Sequence, residues 1–267
     1  MSRRRIRALL RKELLEVSRH KTSLLPIALL GVYCLLLPFV FTVVIPHVTG
    51  DRLSDDQDFV NAAARSAGAY PGLSADARVQ TFFFQQFLLV FLVVPVSVAM
   101  SAAAHAVVGE KDARTMEPLL ATPLTTAELL IAKVLGALLP AMGVGVPGIV
   151  LYLASIGLFS ETGVLQTMLT WRSAATVMLL GPGLALIALQ LTVLIASRVE
   201  DEDTARQLAI LALLPLGALI FAQFTGRVWL SAATLAAAGV GLIGVWLLLL
   251  ALSVAVFDRD AVLTRWR

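Results

Sequence analysis

The chain has 267 residues, 58% of them hydrophobic and 15% charged, with a net charge of +3. Soluble domains carry about 25% charged residues, so this composition excludes an ordinary water-soluble globule and indicates a polytopic helical membrane protein. A lone cysteine, Cys34, excludes an intrachain disulfide and any cysteine-built zinc cluster.

In chain order, residues 1–23 read first as an amphipathic helix. Ile6, Leu9, Leu10, Leu14 and Val17 recur at helical spacing, and Arg4, Arg7, Arg11, Lys12 and Arg19 lie off that stripe. Such a helix lies in the membrane interface with its bases near anionic head groups. Six spans then follow at about 24–45, 82–105, 129–158, 173–196, 207–224 and 228–257. Each apolar run is long enough, or nearly so, to cross ~30 Å of hydrocarbon at ~1.5 Å per residue. The first is too long for the apolar part of a signal peptide, and no small-residue cleavage site follows, so it reads as a retained span. The third and sixth exceed one crossing and must tilt, kink or protrude. The expected fold class is therefore all-α, one transmembrane domain over 1–267.

The 46–80 connector holds five aspartates and three arginines. Ser54 and Gln57 have the spacing of a capping box, and DDQDFVNAAARSAG reads as a short helix ended by Gly68. Proline and glycine punctuate the spans. Pro140, Gly143, Gly145, Pro147 and Gly148 crowd the third, where so dense a cluster points to a hinge. Taken singly, such residues serve close helix packing.

Lys and Arg set the orientation. Segments 1–23, 106–133, 197–206 and 258–267 hold eight, three, two and three of them, against five on the opposite side. Both termini and the 106–128 and 197–206 loops are thus expected in the cytoplasm, with 46–80 outside.

No phosphate-binding GxxxxGK[ST], no HExxH and no GxSxG before a helix occurs in the chain. His20, His47 and His105 are scattered, without metal-ligand spacing. No charged residue lies deep in a span: Glu128 and Lys133 enter the third, and Arg172 enters the fourth. An ion-coupled transporter usually shows intramembrane carboxylates. Gln85, Gln86, Ser97, Ser101, Gln190 and Thr192 remain; they either line a substrate path or bond helix to helix. If the protein moves something uphill, the energy comes from another chain.

One segment departs from this apolar pattern. VVGEKDARTMEPLLATPLTTAELLIAK, residues 107–133, carries four acids and three bases. Gly109 is expected to break the helix leaving the membrane. Ala113, Met116, Leu119 and Leu120 form an apolar stripe, and Glu110 and Asp112 suit the start of a short helix. Thr125 and Glu128 make a capping box that opens the third span. The shape is that of a docking element tied to two spans.

This segment resembles the signature of ABC-2 type transporter permeases, through Gly109, Glu110, Thr115, Glu117, Leu119, Leu120, Thr122, Pro123, Glu128 and Lys133. RALLRKELLEVSRHK resembles the family's N-terminal elbow helix, SRVEDEDTARQLA its second cytoplasmic turn, and FDRDAVLTRW its tail. FAQFTGRVW departs from the long or re-entrant structure that the family often carries between spans five and six.

The resemblance implies a permease subunit that pairs with a second copy or paralogue in a bacterial cell membrane. Each half would dock one cytoplasmic ATP-binding cassette ATPase subunit, which binds the ATP; the chain itself needs no cofactor and no nucleic acid. Residues of about 110–121 would be the coupling helix. Glu110 and Arg114 would make polar contacts, and Met116, Leu119 and Leu120 the docked face. The second and fifth spans would line the cavity, with Gln85, Gln86, Ser97 and Ser101 as candidates for the substrate path. Apolar spans lean toward export of hydrophobic or amphipathic cargo. A membrane scaffold or assembly factor driven by the same kind of ATPase is the alternative, and an intramembrane enzyme a more distant one.

Overall fold

The computed structural model describes residues 10–11, 21–66, 72–112, 126–199, 201–225 and 231–256. Among the described residues every regular element is helical. Most of the segment 1–20, the whole of 113–125, and Gly68 with the 257–267 tail lie outside the described residues, so the elbow helix and the tail are not placed.

Helix α1, Lys21–Phe39, runs through a π-helical turn, Val40–Val44, into α2, Ile45–Thr49. The turn has a cause in the sequence. Pro46 has no N–H to give the carbonyl of Thr42 four residues back. The side chain of Gln80 donates to that carbonyl instead, at 3.3 Å. Gly50 ends α2 with φ +79°, a conformation that glycine adopts without strain.

In the connector, helix α3 spans Gln57–Ser66. Its cap is Asp56 rather than Ser54: Asp56 Oδ1 accepts the N–H of Asp58 at 2.8 Å, whereas the backbone N–H of Ser54 donates to Asp76 at 2.8 Å. The aspartate run offers several caps, and spacing alone does not choose among them. Phe59 meets Phe83 edge to face, which holds α3 on the helix below.

That helix is the centre of the molecule. Helix α4, Ala75–Phe91, starts on Ser74, whose Oγ accepts the N–H of Ala77 at 3.0 Å. A one-residue break at Leu92 leads into α5, Val93–Asp112. Pro95 explains the break, because it removes a backbone donor from the first turn of α5. Most of the Ala75–Gly109 stretch is buried and most of the last span is not, so the second apolar run is the core and the others surround it.

Helix α6, Thr126–Phe159, is unbroken through Pro140 and Pro147. The glycine cluster there is a packing seam. A Cβ on Gly148 would lie 2.4 Å from the Phe91 ring, and one on Gly145 would lie 3.2 Å from Pro95. The bare backbone of α6 thus receives the kink between α4 and α5.

Short helices α7, Val164–Met168, and α8, Trp171–Ala175, lead through a π-helical turn, Thr176–Leu180, into α9, Gly181–Ala196. Pro182 accounts for this turn as Pro46 does for the first. Helix α10, Glu202–Ala209, is capped by Asp201, whose Oδ2 accepts the N–H of Thr204 at 2.7 Å. It passes through a 3-10 turn, Ile210–Leu213, into α11, Leu214–Phe224. The expected fifth span is therefore broken ahead of Pro215, and among the described residues five helices, not six, are long and apolar enough to cross a membrane. Helix α12, Ala232–Val256, packs on α9 and on the π turn before it, where Gly239 comes so near Leu179 that a Cβ would lie 2.6 Å from its backbone.

The two ends of the bundle are packed differently. Around α5 the core is Ala and Val from α5, α6, α9 and α10, which permits close helix approach. Around α4 it is aromatic, with Phe39, Phe84 and Tyr152 in mutual ring contact and Phe91 stacked on Tyr152. The Tyr152 hydroxyl is satisfied by the carbonyl of Phe84 at 2.8 Å.

Candidate coupling site and buried polar network

Two helices converge on the 113–125 segment: the end of α5 and the start of α6. Arg114, Thr115, Met116, Glu117, Leu119, Leu120, Thr122 and Pro123 lie outside the described residues. Gly109 and Glu110 are inside α5, which continues to Asp112. The expected break at Gly109 is therefore not there. A Cβ on Gly109 would lie 3.1 Å from His105 Cε1, so the imidazole rests on the bare glycine one turn on. Glycine in a helix costs about 1 kcal/mol relative to alanine, which helix context can absorb.

Helix α6 begins at Thr126, next to the predicted cap Thr125. Glu128 and Lys133, in its first two turns, are 3% and 4% exposed. Groups of this kind are almost never buried without partners. Lys133 Nζ donates to the carbonyl of Ala106 at 2.5 Å. The Gly109 and Lys133 ends of the motif are thus drawn together, 27 residues of sequence being bridged by one bond between Lys133 and Ala106. Helix α10 lies against α5 at the same end, with Ala205 and Ala209 buried.

The opposite end carries a buried polar network that sequence reading only partly found. Gln85 and Gln86 are 3% and 0% exposed. Arg172 of α8 donates to Gln85 Oε1 and, at 3.5 Å, to Gln223 Oε1 of α11. Gln86 Nε2 reaches the carbonyl of Gln223 at 3.5 Å. Three elements, α4, α8 and α11, are joined through these side chains. Gln80 adds a second stitch, since its Oε1 accepts the N–H of Glu161 at 3.0 Å while its amide holds Thr42. Ser74 donates to Glu161, and Thr81 bonds Thr167 at 3.0 Å.

Of the other polar residues, Ser101 is buried and Ser97 half-buried in α5, away from this network. Gln190 bonds Ser253 at 2.8 Å, tying α9 to α12. Gln80, Gln223 and Glu161 were the residues missed. Their only signal was chemical: an amide or acid in an apolar run needs a partner, but the sequence does not say which.

A bundle of long apolar helices with a lipid-compatible exterior and an alanine-packed end beneath a charged turn is that of a multi-pass membrane protein. The chain matches the model of the ABC-2 family transporter proteins over residues 7–258 and belongs to that family. It is a membrane subunit of an ABC-2 family transporter. No curated protein and no solved structure matches it.

Proposed function

We propose that this chain is the membrane half of an exporter for a hydrophobic or amphipathic substrate, energised by a separate ATP-binding cassette ATPase subunit. Two copies, or one copy and a paralogue, form the membrane unit in a cell membrane, both termini cytoplasmic. The chain crosses six times, and the fifth crossing is the broken α10–α11 pair. The observation that carries the reading is family membership over 7–258 joined to the charged 107–133 motif that connects α5 and α6.

In this reading the segment of about 110–121 is the coupling helix and sits in the cleft of the ATPase. The Lys133–Ala106 bond keeps α5 and α6 moving as one body when the ATPase closes. The kink at Leu92 and Pro95, cushioned by Gly145 and Gly148, is where that movement is relayed to α4. Gln85, Gln86, Ser97 and Ser101 border the substrate path. Arg172 and Gln223, which now occupy the amides of Gln85 and Gln86, close its far end.

Glu110→Ala tests the coupling. The assembled transporter is expected to hydrolyse ATP within about twofold of wild type while ATP-driven flux of amphiphiles in proteoliposomes falls about tenfold, a loss of ~1.4 kcal/mol of coupling. Equal loss of both activities would contradict the role given to Glu110. Wild-type hydrolysis that is insensitive to every amphiphile, with no flux, would favour a mechanical scaffold instead.

A further inference from the structure

Two polar links hold Gln223 of α11, and both are stretched. Arg172 of α8 donates to its side-chain oxygen at 3.5 Å, and Gln86 of α4 donates to its backbone carbonyl at 3.5 Å. Ordinary N–H···O bonds run ~2.7–3.2 Å. Other buried amides of the chain are bonded more closely: Gln190 meets Ser253 at 2.8 Å, and Gln80 accepts from Glu161 at 3.0 Å. Gln86 Oε1 and Gln223 Nε2 are buried and have no hydrogen-bond partner.

Exchanging oxygen and nitrogen in either amide cures neither orphan. At Gln223 the exchange would turn N–H toward the Arg172 guanidinium, itself a donor, and at Gln86 it would set oxygen against the carbonyl of Gln223. One orphan is an acceptor and the other a donor, and they sit on two residues already in contact. Buried amides are normally bonded, so this complementary pair marks a second arrangement in which the two meet.

We infer that Arg172, Gln86 and Gln223 form a two-state latch on α11. In the present state Arg172 holds the Gln223 side chain and both orphans remain. In the other, the Gln223 amide turns from Arg172 and donates to Gln86 Oε1, while the guanidinium keeps its bond to Gln85. Each state satisfies what the other leaves unpaired, so the two lie close in free energy, as a bistable element requires. Helix α11 is suited to such a shift. It has 11 residues, starts at the 3-10 turn before Pro215, and leaves Phe221 exposed. At its end Phe224 meets Phe87 edge to face, so the latch acts where α11 touches the central helix. Its place in transport, the release of the far end of the path, rests on the function proposed above; the latch itself rests on these side chains.

The test uses the full-length chain, with its accompanying subunits, in nonionic detergent. In a Cys34→Ala background, Thr225→Cys at the exposed end of α11 carries a trifluoromethyl label read by fluorine NMR. Two resonances are expected. Gln223→Glu, which sets a carboxylate against Arg172, should leave one of them. Arg172→Gln should raise the other about tenfold relative to it, the ratio that ~1.4 kcal/mol gives. Gln86→Leu removes the acceptor of the second state, so adding it to Arg172→Gln should return the spectrum to the first resonance. A spectrum indifferent to Gln223→Glu and to Arg172→Gln overturns the proposal. So does a response to Arg172→Gln that persists with Gln86→Leu, because that is plain loosening of a structural tie. Should Arg172→Gln fail to fold, Gln223→Glu and Gln86→Leu must each abolish the second resonance, and its survival in either overturns the latch. Gln223→Glu should also lower amphiphile flux in proteoliposomes about tenfold. The expected spectra from a wild-type chain that shows no flux would uphold the latch and contradict the exporter reading alone.

Discussion

Gln80 shows how single side chains hold this bundle. Proline at position 46 deprives a carbonyl in the π turn after α1 of its helical donor, and Gln80 of α4 supplies one. The same amide accepts from Glu161 in the turn after α6. Replacing it leaves two backbone groups short of a partner in a setting with little water to substitute. Gln80→Leu should therefore lower the stability of the purified chain by about 2 kcal/mol, the penalty of orphaned polar groups. Thermal unfolding in detergent reads this, and a midpoint equal to wild type would remove Gln80 from the account. Part of this was legible beforehand. Gln85 and Gln86 read from the sequence either as lining a substrate path or as bonding helix to helix, and in the structure both bond across helices. Which residues they meet was not legible, because Arg172 and Gln223 are brought together only by the packing of three separate elements.

Helices here are shaped by where they lack something. Pro46, Pro95, Pro182 and Pro215 each stand beside a π turn, a break or a 3-10 turn, all from a missing N–H. Pro140 and Pro147 lie inside an unbroken helix. Sequence marks the candidates for irregularity; the neighbours decide which become one. The glycines of α6 make the same point, since within the cluster that reads as a hinge Gly145 and Gly148 form a seam against Pro95 and Phe91. Gly148→Val should overpack that seam and destabilise the chain by about 1–3 kcal/mol. Phe91→Ala in the same chain should restore part of the loss, because the two sites share the contact and their effects cannot be additive. Strictly additive losses would show that α6 does not press on Phe91.

The whole chain is a central two-part helix, α4–α5, wrapped by the others. Apolar runs made the five long apolar helices among the described residues readable from the sequence, and the fifth-in-order segment was misread as one helix because its hydropathy hides the break before Pro215. Charge bias sets the expected orientation, and it is open to direct test in a Cys34→Ala background. Asp58→Cys in α3 should react with a membrane-impermeant maleimide in intact cells, and Ser197→Cys after α9 only once the cells are opened. The reverse pattern would invert the topology and take the 107–133 motif out of reach of a cytoplasmic ATPase.

The central claim is that this chain works with a second polypeptide that hydrolyses ATP. Affinity purification from membranes in mild detergent, with mass spectrometry of what accompanies the chain, tests it most directly. The account predicts a stoichiometric soluble partner with a P-loop, which crosslinks to residues 113–125. A chain that purifies alone, even after gentle crosslinking, would contradict it.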